Sequence, residues 1–469
     1  MQRDVAREAL QGQFGDSRLS RRVGDVTSRL LANPGASLPK AMRTHDALEA
    51  AYRLLRNPRV TQQALLAPHV AHTAELVRGS GSPVVIAHDT TEFCFSGGPR
   101  EGLGRLVNGR QGFFGHFGLA LIPAASSPYP LGILGYSSLF RPDKPRGKRS
   151  VAQSRNDPDS EAKRWWRLVQ DCEDSLGEDC CRPIHVMDRE ADSYELMSQL
   201  LERRWRFIIR ACHNRPTTDD EDRRAFDLNE VGTPRDGEVT RSVRVTERRA
   251  TGRGAKIHPS RSDRIAKLHI RAQPVEIARS THLNRSVPQA LRLNLVTVEE
   301  VDCPEGEVPI CWRLWTTEPA STPAQLEAIV DAYKSRWLIE EFFKALKTGC
   351  NYESKQLESA DTLLTMLGLF IPVAYQLLAL RALARSDEAE LPATTLMEES
   401  SIDALRAADA GKLPQEPTIR DALAAIARLG GHITNNGPPG WLVLWRGYQD
   451  FLIFEMGWKA ARAFRCDQS

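Results

Sequence analysis

Tyr333, Arg336, Glu340 and Lys347 recur within YKSRWLIEEFFKALKTGC at spacings that one helix face can gather. At about 100° per residue, Arg336 lies roughly 300° from Tyr333, Glu340 about 340° and Lys347 about 320°. An uninterrupted helix would therefore align all four in one stripe. Leu338, Ile339, Phe342, Phe343, Ala345 and Leu346 fall on the other side and suit a core. Such a helix offers a carboxylate between cationic and phenolic groups, which suits a metal site acting on a phosphate. A solvated polar face would show the same stripe, so the rest of the chain has to decide.

Two further acids matter. Asp89 directly follows VVIAH and Asp188 directly follows IHVM, so each sits at the C-terminal end of a hydrophobic run. In open mixed sheets such ends face the cleft, because the backbone there is rigid and the side chain free. Two aspartates on neighbouring strands and a glutamate from a helix would supply the hard oxygen ligands that Mg²⁺ or Mn²⁺ prefers. Two such ions can activate a water or a 3′-hydroxyl and stabilise the leaving oxygen of a phosphodiester. An aspartate closing a strand can equally be a turn residue or a helix cap, and Asp192 is a candidate N-cap for the next helix. LGRLVNGRQG lacks the Gly-Lys-Ser/Thr ending of a phosphate loop, and no GxSxG elbow is present.

The elements that must position these groups can be read coarsely. Residues 1 to about 70 carry helical apolar spacing and many arginines, among them Arg18, Arg21 and Arg22. Beyond the Gly-Ser-Gly-Ser breaker at 79–82, short apolar runs at 83–93, 112–123 and 130–140 read as strands. A helix at about 160–176, a strand at 183–188, a helix at about 192–203 and a strand at 206–211 follow. The expectation is an α/β chain: a mixed sheet with helices on its faces. Residues 213–309 interrupt it as a β-rich insertion, with ten Lys/Arg against two acids between Arg241 and Arg271. The part after about 386 is helical again. Thr362 to Leu380 is free of charge and long enough for a membrane span, but its Gly368, Pro372, Tyr375 and Gln376 favour a helix buried in the protein.

With 469 residues, two or three domains are expected. A net charge of +3 permits nucleic-acid binding without announcing it. Nine cysteines without a CxxC pair, and a charged amphipathic start, point to a reduced, cytoplasmic chain.

AHDTTEF, MDREAD and the spacing Tyr333-x2-Arg336-x3-Glu340-x6-Lys347 together resemble the DDE transposases of the insertion-sequence-four group, in the branch typified by the composite transposon five. AAYRLLRNPRV, RFIIR, WRLWTTEP and IARLGGHITNNGPPGWLVLWRGYQ extend the likeness over nearly the whole chain, in the same order. The resemblance implies an RNase H-like core over 71–385 with the insertion at 213–309. It also implies a helical end-binding domain over 1–70 and a helical dimerisation domain over 386–469. Asp89, Asp188 and Glu340 would be the metal-binding triad, with two Mg²⁺ or Mn²⁺ ions. Tyr333, Arg336, Lys347 and Arg210 would hold phosphates, and Trp312 and Trp337 would stack on or brace a flipped base. Arg18, Arg21 and Arg22 suit end recognition, although Leu19 stands where the family pattern would have another arginine. The implied partners are double-stranded DNA, both transposon end repeats and target, and a second copy of the chain, with no membrane. The implied reaction is cut-and-paste transposition through a hairpin intermediate. A nuclease that cuts without joining, or a silent DNA-binding inhibitor on the same fold, would share most of these features.

Overall fold

In the computed structural model the chain is described over residues 14–125, 127–142, 160–178, 182–219, 224–225, 239–245, 247–248, 260–283, 286–383, 385–395, 397–433 and 439–466. The described residues begin with the helices α1 (Ser17–Ala32), α2 (Leu38–Met42), α3 (His45–Leu55) and α4 (Gln62–Arg78). Asp16, Thr44 and Thr61 cap α1, α3 and α4 by accepting from backbone N–H groups of the first turn. α4 runs past the boundary expected at 70 and ends at Gly79. Leu19 is turned towards the core, which explains an apolar residue within the arginine cluster.

The strands follow as β1 (Val85–Cys94), β2 (Gly104–Arg105), β3 (Gln111–Ile122), β4 (Tyr129–Leu139), β5 (Ile184–Met187) and β6 (Arg206–Arg210). Between β4 and β6 lie α5 (Arg164–Leu176) and α6 (Tyr194–Glu202). β4, β3 and β1 form an antiparallel meander, and β5 and β6 add parallel strands beside β1. This is the RNase H-like mixed sheet that the sequence leads one to expect.

β7 (Thr217–Asp219), β8 (Arg224–Ala225), β9 (Val239–Val245), β10 (Arg264–Ala278) and β11 (Ala290–Val301) make up the insertion. It is not a detached module. β11 pairs with β12 (Cys311–Thr316), which pairs with β6, so the described strands form one twelve-stranded sheet. Arg241, Arg244 and Arg264 of the basic stretch are paired with Asp331, Asp263 and Glu300 respectively. Residues 246 and 249–259 of that stretch lie outside the described residues.

Next come α7 (Pro323–Ser335), α8 (Leu338–Lys344) and the long α9 (Ala360–Leu383). The most apolar window of α9 is 78% buried inside the protein, against α4 and β4. That is the place of a core helix. Three helices complete the fold: α10 (Glu399–Ala408), α11 (Ile419–Leu429) and α12 (Trp441–Cys466). Gly430 and Gly447 allow α11 and α12 to touch backbone to backbone. A Cβ on Gly447 would lie 1.6 Å from the Ile426 carbonyl oxygen.

Candidate active site

The register of β1 on β5 sets the first two acids. Val85 pairs with Ile184, Ile86 with His185 and Ala87 with Val186. Carried two residues on, the same offset brings Asp188, just past the end of β5, level with Asp89, about one strand spacing away. Asp89 Oδ1 accepts the Thr90 N–H at 2.8 Å. Asp188 caps a one-turn 3₁₀ helix, accepting the Glu190 N–H at 2.9 Å. The capping role foreseen as a bland alternative for Asp188 is real, and it coexists with the position beside Asp89.

Asp192 behaves differently from the expectation. Ser193, not Asp192, caps α6. Asp192 is buried and accepts the N–H groups of Cys212 and His213 at 2.7 and 2.8 Å, with Arg215 Nη2 at 2.9 Å. It clamps the chain where it leaves β6, so its ligand-accepting capacity is spent on structure.

The third acid comes from a broken helix. Thr322 and Gln325 form a capping box and Pro323 occupies the first turn, so α7 starts strongly. Around Arg336 and Trp337 the backbone tightens to i→i−3 hydrogen bonds, such as Ile339 N–H to Arg336 C=O and Glu340 N–H to Trp337 C=O. α8 resumes at Leu338, and a π-turn over Ala345–Gly349 follows, closed by the Cys350 N–H on the Ala345 carbonyl. The single stripe expected of an uninterrupted helix is therefore corrected. Arg336 and Glu340 face the aspartates. Lys347, displaced into the π-turn, has Glu353 and Glu92 as its charged neighbours and lies 5.7 Å over the Phe93 ring. Burial lowers the Lys347 amine below its usual range. The apolar face is as expected: Ile339, Phe342, Phe343, Ala345 and Leu346 are buried.

Arg336 ties the site together. Its Nη1 donates to Asp89 Oδ2 at 2.7 Å and its Nη2 lies 3.8 Å from Glu340 Oε1. Burial works against the guanidinium charge, but Asp89, Tyr333, Asp188 and Glu340 outweigh it and raise its pKa. The carboxylates go the other way. Burial raises Asp89, with Asp188 adding to it against the pull of Arg336. Burial raises Glu340 to about 7, again with Asp89 adding and Arg336 opposing. Three acids share one guanidinium, an excess of negative charge that adds to burial, the chief cause of the rise in Asp89 and Glu340.

The same excess suits a hard divalent cation, and the donors are all carboxylate oxygens. Among the described residues no three such groups are drawn together closely enough to hold a metal ion as they stand. Arg336 bridges the gap instead. Each Asp89 oxygen accepts one hydrogen bond, from Thr90 N–H and from Arg336 Nη1, and keeps a lone pair over.

Tyr333 is buried on the other flank of Arg336, its hydroxyl raised by burial and hydrogen-bonded with Arg210. Arg210 Nη2 also donates to the Cys311 carbonyl at 3.3 Å. Trp312 is half-buried with its ring edge-on to Tyr333 at 5.3 Å. Trp337 is 56% exposed, with the Lys344 amine 5.9 Å from its ring. Arg18, Arg21 and Arg22 are exposed along α1. One residue escaped the sequence reading. Arg164, at the start of α5, donates to Glu190 at 2.5 Å and to the Thr90 hydroxyl at 3.3 Å, next to both aspartates. Only an arginine opening a helix marked it in the sequence.

Residues 1–60 match the family described as Transposase DNA-binding, and residues 158–371 match the family described as Transposase DDE domain. Among solved structures, the chain is similar to a piggyBac transposase in a synaptic complex with hairpin DNA, seen by cryo-EM. The identity is 8% and the TM-score 0.33, covering 80% of this chain and 72% of that one.

Proposed function

The chain belongs to the DDE transposases of the insertion-sequence-four family, DNA-binding enzymes that use divalent metal, and from that membership we propose a cut-and-paste cycle for it. Water nicks each transposon end, the freed 3′-hydroxyl attacks the opposite strand to form a hairpin, a second water reopens it, and the 3′ ends join target DNA. Asp89, Asp188 and Glu340 would hold two Mg²⁺ or Mn²⁺ ions, which supply Lewis acidity at the attacking and leaving oxygens. Each step is an in-line displacement at phosphorus, so one set of residues serves all four.

The observation that carries the reading is the β1–β5 register, which brings Asp188, just past the end of β5, beside Asp89, with Glu340 tied to Asp89 through Arg336. Released from Asp89, Arg336 can fork onto a phosphate, with Tyr333 and Arg210 beside it and Lys347 as a further point charge. Trp337, already exposed, is free to stack on an unpaired base at a hairpin tip, with Trp312 bracing Tyr333 behind it. Arg18, Arg21 and Arg22 would contact the end repeat. A homodimer on paired ends is part of the proposal; Ile453, Phe454 and Met456 leave apolar surface on α12 for it.

The test uses duplexes copied from the two ends of the DNA segment that carries the gene, with Mg²⁺. Asp188→Ala should lose cleavage by at least about a thousandfold, the scale of removing a group that acts on transition-state charge, while end binding stays near wild type. Unchanged cleavage would sink the metal assignment. Cleavage by wild type without joining of pre-cut ends would instead favour a plain nuclease.

A further inference from the structure

The turn after α1 is held by a buried ammonium group from the far end of the chain. Asn33 closes α1, and Pro34-Gly35-Ala36 lead into α2. All three of their carbonyl oxygens receive a donor from residues 351–355. Lys355 Nζ donates to Pro34 at 3.1 Å and to Ala36 at 2.6 Å, and Asn351 Nδ2 donates to Gly35 at 3.4 Å. The fit is close: a Cβ on Gly35 would come within 3.2 Å of both the Gly349 carbonyl oxygen and Trp445 Nε1. Lys355 is 4% exposed, lies 5.1 Å over the Phe370 ring, and has no carboxylate partner among the described residues. Burial pushes its amine down to about 8. An ammonium buried without an acid is a costly way to fill space that methionine or leucine would fill better. The site therefore depends on the two donated hydrogen bonds.

What these bonds join is informative. On one side is α1, with Arg18, Arg21 and Arg22 exposed along it. On the other side the chain runs from Lys355 through Asn351, which sits in the left-handed region at φ 48°, straight into the π-turn that carries Lys347 and then into α8 with Glu340. The carbonyl of Lys355 is itself fixed by Arg100 Nη1 at 2.9 Å. The bonds thus join the end-binding helix directly to the strap formed by residues 338–355.

We propose that Lys355 is a positioning residue that locks the end-binding helices to the strap behind Glu340 and Lys347, so that a DNA end seated on α1 meets the carboxylates at a fixed offset. The proposal rests on the reading of Asp89, Asp188 and Glu340 as the cleavage site. Misplacing a reacting bond by about 1 Å costs on the order of a hundredfold in rate even when the ground state still binds. The latch thus acts on the rate of cleavage rather than on affinity for the end.

Lys355→Met keeps the apolar stem and removes both donors; Asn351→Ala removes the long outer bond, spares the buried ones and adds the strain of an alanine in the left-handed region. Each is compared with wild type by affinity for the end duplex, by active fraction, and by the rate constant of the first nick in a preformed complex started with Mg²⁺. Lys355→Met should bind within about threefold of wild type and nick at least about tenfold more slowly. Asn351→Ala should show the same split at about two- to threefold, which keeps the test alive if Lys355→Met does not fold. A lower active fraction with an unchanged rate constant would make the pair a staple of the fold and overturn the proposal, as would wild-type nicking by both variants. Absence of nicking by wild-type protein would overturn the cleavage reading before any substitution is made, and this proposal with it.

Discussion

Two arginines, one on the sheet and one at a helix end beside it, each serve a group of acids, with opposite results. On β10, Arg264 grips Glu300 with two parallel bonds of 2.8 and 2.9 Å and reaches Glu307 at 3.1 Å. Glu300 also accepts the Ile310 N–H at 2.9 Å. Their carboxyls are held below the ordinary range, Glu300 chiefly by the Arg264 hydrogen bonds and Glu307 chiefly by Ser262. In the cleft, Arg336 gives Asp89 one close bond and stands 3.8 Å from Glu340, and both acids are raised. The first group is saturated with donors and built to stay. The second is buried, crowded with like charge and short of donors, which leaves its carboxylates ready to take another cation.

That contrast is open to breakage from both ends. Asp89→Asn should abolish cleavage, by at least about a thousandfold, while the melting temperature holds or rises, because the substitution removes negative charge from an overfull cluster. Glu300→Gln should do the reverse. Arg264 and Glu300 are only 9% and 1% exposed as side chains, and losing the paired charge-assisted bonds there, with Glu307 still within 3.1 Å of Arg264, costs about 2 kcal/mol. Calorimetry should therefore show a clear loss of stability, with the nicking rate constant of the folded fraction unchanged. A Glu300 variant of normal stability, or an Asp89 variant that still cuts, would erase the distinction between the two groups.

How much of this was legible in the sequence depended on range. Asp89, Asp188 and Glu340 stood out because strand-end acids and helical spacing are local patterns. Their coming together was not readable from spacing, since it depends on the β1–β5 register, a pairing across about a hundred residues. The strands β1, β3, β4, β5 and β6 were found to within two residues, because apolar runs bounded by turns are strong signals, while the two- and three-residue β2, β7 and β8 were too short to show. The break at Arg336 and the π-turn at Ala345 were not, because a few residues of tighter or wider helix hardly alter the periodicity of the apolar positions. Lys347 was misaligned for that reason. Asp192 looked like a cap from its neighbours alone and became a clamp because β6 returns beside it. The continuity of the insertion with the main sheet was hidden too, because edge pairing leaves no mark on a strand's own alternation.

The smallest effect follows from the raised carboxyl of Glu340. Its proton is held to about pH 7 in the folded chain, against about 4.3 in an unfolded one. Below the unfolded value both states are protonated and the group is neutral to stability. As pH rises from about 4.3 to 7 the unfolded chain ionises first, so folding loses free energy across that window and stays lower above it. Glu340→Gln abolishes the ionisation. With chelator present, it should stabilise the protein by roughly 1 kcal/mol at pH 8, a figure discounted for the partial exposure of the side chain, and by nothing at pH 4. Melting curves at the two pH values decide it. In the Arg264 group the sign inverts: Glu300 ionises more readily folded than unfolded, so its contribution is whole above about pH 4.3 and fades as pH falls through its depressed value. Glu300→Gln should therefore cost most at pH 8 and least in acid. If both glutamine variants shifted stability in the same direction at pH 8, the two arginine groups would differ in degree and not in kind.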